Sequence, residues 1–73
     1  MRYFTTGQAA LILDATESQV AETVRRGKVV PKPTILSGRR LWTPEQLMMA
    51  AEALNRDQVP VLQRMTEEVQ RVS

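Results

Sequence analysis

The sequence predicts a small, mainly α-helical fold of four helices, with one β-hairpin between the second and the third. Three observations lead to this prediction. A Thr-x-x-Gln motif occurs three times, and an apolar stripe at helical spacing follows each copy. Residues 28–42 hold two prolines among β-prone runs, so this segment cannot continue a helix. Residues 58–72 carry apolar side chains at spacings of three and four, which favours one more helix.

The first helix is predicted at about residues 6–13. Thr5 and Gln8 have the spacing of a capping box, in which the threonine hydroxyl accepts from the N3 amide and the glutamine side chain accepts from the N-cap amide. Asp14-Ala15 predicts a short turn, because Asp tolerates left-handed backbone geometry better than most residues. The candidate inner residues of this helix are Ala9, Ala10, Ile12 and Leu13.

A second helix is predicted at about residues 17–26. Thr16 and Gln19 repeat the capping spacing, and Gly27 is placed to end the helix in a left-handed conformation. Because the turn between the first two helices is only about three residues long, the pair is expected to form a helix-turn-helix. The apolar stripe of this helix consists of Val20, Ala21 and Val24.

A β-hairpin is predicted within residues 34–42. Its tip is expected at Ser37-Gly38, where glycine supplies the positive φ that a tight turn needs. Pro31 and Pro33 lie on or before the first strand of the hairpin. Because proline lacks a backbone donor, that strand is expected at the edge of its sheet.

The third helix is predicted at about residues 44–56. Thr43 and Gln46 give the third capping box, with a proline at the N1 position. Trp42 and Leu47 have the spacing of a hydrophobic staple. The indole is therefore expected to pack beneath the hairpin rather than to stack on a base.

The fourth helix is predicted at about residues 58–72. Its apolar residues repeat at spacings of three, four and three, as in the a/d seam of a coiled coil. Two interpretations stay open. The seam mediates dimerisation, or it packs on the core of its own domain, because about two heptads are marginal for a coiled coil. The seam residues are Leu62, Met65, Val69 and Val72.

The length of 73 residues is that of one domain, with the helix-turn-helix and hairpin in residues 1–56 and the C-terminal helix in residues 57–73. The chain has no cysteine and no histidine. This excludes disulfides, thiolate chemistry, histidine general bases and zinc sites built from those residues. We therefore expect no enzymatic activity, cofactor or metal. No apolar run approaches the ~20 residues of a membrane span, and a cytoplasmic location is expected by default.

Positive charge is concentrated in one segment. Residues 24–43 hold six basic residues and no acidic one, whereas the other four basic residues are mixed with all eight acids. Arg25 and Arg26 end the second helix, and Arg39 and Arg40 follow the hairpin turn. A basic helix end beside a basic hairpin is typical of a surface that binds phosphates. The alternative is a solvated basic face without a ligand.

Five short motifs follow one another along residues 3–54. They are Phe4-Thr5-Thr6-Gly7-Gln8, Ala10, Asp14-Ala15-Thr16, Gly27-Lys28-Val29-Val30-Pro31 and Gly38-Arg39-Arg40-Leu41-Trp42-Thr43. In this order and spacing they resemble the N-terminal DNA-binding domain of MerR-type regulators and the related phage and plasmid excisionases. The order and spacing are more specific than any one motif.

The resemblance implies a winged helix-turn-helix that binds double-stranded DNA, with the second helix in the major groove and the hairpin as a wing on the flanking backbone. It further implies a homodimer or a cooperative array on DNA, at the nucleoid of a bacterium or in a phage system. The residues implied to face the groove are Thr16, Ser18, Gln19, Glu22 and Thr23, and those implied to lie near phosphates are Arg25, Arg26, Lys28, Arg39 and Arg40.

The chain departs from the family pattern on the second helix. Family members often carry an arginine near position 18 and an aromatic residue near position 22 or 23, where this chain has small or acidic residues. Glu22 repels phosphate but can accept from cytosine N4, and Gln19 favours adenine. Backbone contacts would then supply most of the affinity. Without a long dimerising helix or a metal-sensing cysteine, the chain resembles a stand-alone small transcriptional regulator, an excisionase-like factor, or an isolated domain of a longer protein.

Two other functions stay open. The fourth helix could dock a protein partner, which would make the chain an interaction adaptor. The two activities could also be combined, as in the small terminase subunits that bind viral DNA and recruit a packaging motor.

Overall fold

Four helices and a three-stranded antiparallel sheet make up the computed structural model, which describes residues 3–72 and, at residue 72, the backbone alone. The predicted helices and hairpin are confirmed, and one strand had not been predicted. In chain order the elements are β1 (Phe4–Thr5), α1 (Thr6–Leu13), α2 (Glu17–Arg25), β2 (Thr34–Leu36), β3 (Arg39–Trp42), α3 (Pro44–Ala53) and α4 (Gln58–Val72).

All three predicted capping boxes are present. In α1, α2 and α3 the N-cap threonine Oγ1 accepts from the N3 amide at 3.1, 3.1 and 3.2 Å. The glutamine Oε1 accepts from the N-cap amide at 2.9, 2.9 and 2.8 Å. Each box therefore satisfies two amides that would otherwise lack partners, which fixes where each helix begins.

The first three helices end on a residue in the left-handed region, with φ of 52° at Asp14, 73° at Gly27 and 58° at Asn55. The first two were predicted and the third was not. At α3 the Asn55 amide donates to the Glu52 carbonyl at 3.1 Å and the Arg56 amide to the Ala51 carbonyl at 2.8 Å. This Schellman pattern ends the helix at Ala53, three residues before the predicted end at 56.

The sheet has the strand order β1-β3-β2, so β2 lies at an edge as predicted. Leu36 pairs with Arg39 across the turn, and Ser37 and Gly38 both have positive φ, of 52° and 78°. Two successive positive φ values match the twist of a two-residue hairpin. On the other side of β3, Phe4 of the unpredicted strand β1 pairs with Trp42.

One hydrophobic core joins all four helices and the sheet. Trp42 is fully buried there and its Nε1 donates to Thr6 Oγ1 at 3.3 Å, so the indole packs beneath the hairpin as predicted. The helix α4 covers α1 and α3 through Val61 and Met65. The largest fully buried side chains are Trp42, Phe4, Ile12, Leu13, Leu47, Val20, Val29 and Val61.

The predicted seam of α4 is therefore divided between two environments. Met65 is only 7% exposed and belongs to the core, so at this residue the structure supports packing on the domain's own core rather than the alternative, dimerisation. Val69 is half-buried and packs against the same core. Leu62 is 49% exposed and remains available to a partner. The side chain of Val72, the fourth seam residue, lies outside the described part of the chain.

Two arginines bind the carboxyl end of α1, where helix carbonyls lack intrahelical partners. Arg56 donates from Nε to the Leu13 carbonyl at 2.9 Å and from Nη2 to the Asp14 carbonyl at 3.0 Å. Arg64 on α4 donates from Nε to the Ile12 carbonyl. These two arginines join the end of α1 to the C-terminal part of the chain, so their role is structural.

Candidate nucleic-acid interface

The helix α2 presents one face to the core and the opposite face to solvent. Val20, Thr23 and Val24 are its buried residues. At 100° per residue, the opposite face carries Ser18, Ala21, Glu22 and Arg25, with Gln19 and Arg26 on one flank. Of this set, Ser18, Gln19, Arg25 and Arg26 are exposed, and Ala21 and Glu22 are half-buried.

Thr23 does not belong to the exposed face. Its side chain is 4% exposed, and its hydroxyl donates to the Val20 carbonyl at 2.6 Å. The expectation that Thr23 faces a DNA groove is therefore wrong. The sequence contained a signal for this, since Val20, Thr23 and Val24 form an i, i+3, i+4 stripe. Thr23 completes the buried stripe, whereas the predicted stripe had Ala21 in its place.

Thr16 and Gln19 are exposed at the start of α2, where both side chains already serve the capping box. To contact a base, Gln19 would either break the bond between its Oε1 and the Thr16 backbone N–H or use its side-chain NH₂ group. Ser18 lies between them and is exposed. The groove contacts of these three residues stay a prediction.

Glu22 holds two arginines by ion pairs along the helix. Its Oε2 lies 2.7 Å from Arg25 Nη2, and its Oε1 lies 3.1 Å from Arg26 Nε. The arginine side chains are 72% and 70% exposed and the glutamate side chain is 40% exposed. Ion pairs this accessible to water are weak, so a phosphate can replace the carboxylate. We had predicted Glu22 only as a possible base contact, although it lies three and four residues before the two arginines, the spacing of ion pairs on a helix.

A cleft between α2 and the hairpin gathers cations from both elements. It has a volume of about 390 Å³. Arg25 comes from α2, Arg40 from β3 and Lys32 from the segment before β2, and none of the described residues that line the cleft is acidic. Ala21 and Val24 complete its lining. We call this the hairpin-side cleft. Lys32 was not among the predicted site residues, although it belongs to the basic segment.

A second cleft lies on the other flank of α2, against the end of α3. It has a volume of about 200 Å³, and its cations are Arg26 and Lys28. We call it the α3-side cleft. Its remaining lining residues are Gln19, Glu22, Thr23, Ala53 and Leu54. The exposed face of α2 therefore has a cationic cleft on each side.

The two hairpin arginines point in different directions. Arg40 lines the hairpin-side cleft. Because successive residues of a strand project to opposite faces of the sheet, Arg39 projects away from that cleft. Arg39 is exposed there and is paired across the strands with Leu36. Of the predicted phosphate contacts, Arg25 and Arg40 are brought together, Arg26 and Lys28 lie together on the other flank, and Arg39 is separate from both groups.

Within residues 3–72, no group of three or more acidic residues has the arrangement of a metal site. Among the helices of that range, none has the length and apolar character needed to cross a membrane. Comparison with known proteins gave no match to a protein-family model, a curated protein or a solved structure.

Proposed function

We propose that this protein binds duplex DNA as a winged helix-turn-helix, with α2 in the major groove and the β2–β3 hairpin as the wing. The observation that supports this most directly is the pair of cationic clefts on the two flanks of the exposed face of α2. A major groove about 12 Å wide admits one helix with its side chains, and phosphates line both of its edges. A helix with cations on both flanks complements that shape and charge.

The number of cations sets the expected salt dependence. Arg25, Lys32 and Arg40 face one strand, and Arg26 and Lys28 face the other. If all five neutralise a phosphate, the slope of log K against log salt is about −4.5, at roughly −0.9 for each contact. Affinity should therefore fall steeply between low and physiological salt.

Sequence reading by α2 is expected to be modest. The exposed face offers Ser18 and Glu22 to base edges, with Gln19 on its flank, and Glu22 and Gln19 are also engaged within the helix. Glu22 would accept from cytosine N4 and Gln19 would pair with adenine. Most of the affinity would then come from phosphates, which suits an excisionase-like factor or a small regulator that acts with other contacts.

A second role, in association with another protein chain, is favoured by the outer side of α4. Val59 and Leu62 are 65% and 49% exposed and lie three residues apart, so they share one side of the helix. Among the described residues that line the cleft beside Leu62, Gln63 and Thr66 are uncharged and Glu67 is acidic. This patch would join two copies on DNA, or it would dock a different protein if the chain is an adaptor or a packaging factor.

The test of DNA binding is a fluorescence-anisotropy titration of a random-sequence duplex at several salt concentrations. Replacing both Arg25 and Arg40 with alanine should make the salt slope less steep by about 1.8. Arg71→Ala is the matched control, since Arg71 is 68% exposed at its side chain and lies on α4, away from both clefts. No measurable duplex binding, or an equal effect of the control, would contradict the proposal.

A further inference from the structure

The end of the hairpin carries two neighbouring apolar side chains in solvent. Ile35 is 62% exposed and Leu36 is 61% exposed, and they are the last residues of β2 before the Ser37-Gly38 turn. Single exposed apolar residues are common on protein surfaces. Two in succession on a strand are different, because they place one apolar group on each face of the sheet.

Neither face of the hairpin end is covered by the domain. All three residues of β2 are exposed, whereas a sheet that packs on a core normally hides one apolar face. Each apolar residue also pairs with an arginine across the strands, Ile35 with Arg40 and Leu36 with Arg39. The hairpin therefore ends in an apolar tip with one guanidinium on either face.

Charge decides which partner this tip fits. Residues 24–43 carry six basic residues and no acidic one, so two hairpins brought edge to edge would repel each other. Pro31, Lys32 and Pro33 precede β2, and prolines and lysines at a sheet edge oppose strand pairing. A polyanion, by contrast, is attracted to Arg39 and Arg40, which lie opposite Leu36 and Ile35 beside the tip.

We infer that the hairpin tip enters the minor groove of duplex DNA and that Leu36 wedges between two base pairs, unstacking one step and bending the duplex. The inference rests on the proposed function and names how the wing engages its DNA. Arg39 and Arg40 would bind phosphates on the two sides of the narrow groove, which is about 6 Å wide. Leu36, next to the turn, is the apolar residue that reaches furthest, and Ile35 follows it.

This arrangement balances two opposing effects. Inserted apolar side chains in other minor-groove proteins unstack a base step at a cost of a few kcal/mol, and the bend then brings more protein surface onto the backbone. Here the tip removes two apolar side chains from water, and the bend would bring the arginines onto their phosphates. Flexible pyrimidine–purine steps unstack most easily, so the wedge would favour those steps without a base hydrogen bond.

The experiment uses the full chain and a duplex that contains a TA step with 2-aminopurine in place of its adenine and a fluorophore pair at its ends. Bound wild-type protein should raise 2-aminopurine fluorescence and increase end-to-end energy transfer. Leu36→Ser should lose both changes while it still binds the duplex through the cations of the two clefts beside α2. Leu11→Ser is the matched control, because Leu11 is 62% exposed on α1 beside α4, away from the hairpin, and it should retain both changes.

A third variant, Leu36→Met, keeps an apolar side chain of similar volume and should retain most of the fluorescence increase. Binding by the wild type without unstacking or bending would overturn the wedge and leave the proposed function standing. Retention of both signals in Leu36→Ser would also overturn the wedge. Absence of duplex binding by the wild type would overturn the proposed function and the wedge with it.

Discussion

If α2 binds DNA as proposed, Glu22 competes with the phosphates for Arg25 and Arg26, and its neutralisation should strengthen binding. The carboxylate lies 2.7 Å from Arg25 and 3.1 Å from Arg26, one cation on each flank of α2. To bind phosphates, both guanidiniums must exchange the carboxylate for DNA. The carboxylate left behind then faces the groove and repels the backbone. Glu22→Gln removes the competing charge and preserves the shape of the side chain.

The magnitude follows from the exposure of the two pairs. Exposed helical pairs at spacings of three and four contribute about 0.3–0.5 kcal/mol each, so together they contribute about 0.6–1 kcal/mol. Glu22→Gln should lower the free energy of unfolding by this amount. It should strengthen duplex binding by a similar amount, which is about three- to fivefold, since 1.4 kcal/mol corresponds to tenfold.

Both effects can be measured on the same protein. Chemical denaturation gives the loss of stability, and anisotropy titrations on a random-sequence duplex give the gain in affinity. Glu67→Gln is the control, because it changes the net charge equally from an exposed position on α4. Screening should hold its effect on affinity below about twofold. Unchanged or weaker random-duplex binding by Glu22→Gln would refute the reasoning.

Three further outcomes are expected. Arg56→Ala removes charged donors from the Leu13, Asp14 and Leu54 carbonyls, and should lower the free energy of unfolding by about 2–3 kcal/mol in urea titrations; a loss below about 0.5 kcal/mol would mean that water replaces the arginine. Thr23→Val should leave the duplex affinity and salt slope unchanged in anisotropy titrations, because the hydroxyl is buried, and a clear loss of affinity in a folded variant would restore Thr23 as a groove contact. Leu62→Glu should abolish any self-association seen by sedimentation without lowering the melting temperature, and an intact dimer would exclude this side of α4.

The sequence predicted those features that depend on residues within a few positions of one another. The Thr16–Gln19 capping box, the left-handed Gly27 and the Ser37-Gly38 turn all follow from local backbone chemistry. The end of α3 was misplaced because Asn55, unlike glycine, adopts the left-handed region only in some contexts.

Features that depend on distant partners were not predictable in the same way. The pairing of Phe4 with Trp42 needs a strand of only two residues, too short to leave a period-2 pattern. The bonds of Arg56 to the end of α1 join residues 43 and 42 positions apart. In the site, strand alternation places Arg39 and Arg40 on opposite faces of the hairpin. Which of the two lies beside α2 depends on how the hairpin packs against the helices, and the sequence does not give that orientation.

Gln46, at the start of α3, connects that helix to the segment that leads into the hairpin, and its side chain has two functions. Gln46 is 5% exposed; its Oε1 accepts from the Thr43 amide at 2.8 Å while its Nε2 donates to the Pro31 carbonyl at 2.9 Å. The capping box that starts α3 thus also holds the chain just before Lys32 and β2. Because α2 and α3 share the core, this bond helps to set the distance between the cations of the hairpin and those of α2. Under the proposed function, a cleft held open in advance would lose less conformational entropy when a phosphate enters, so Gln46 would contribute to DNA affinity without touching the DNA.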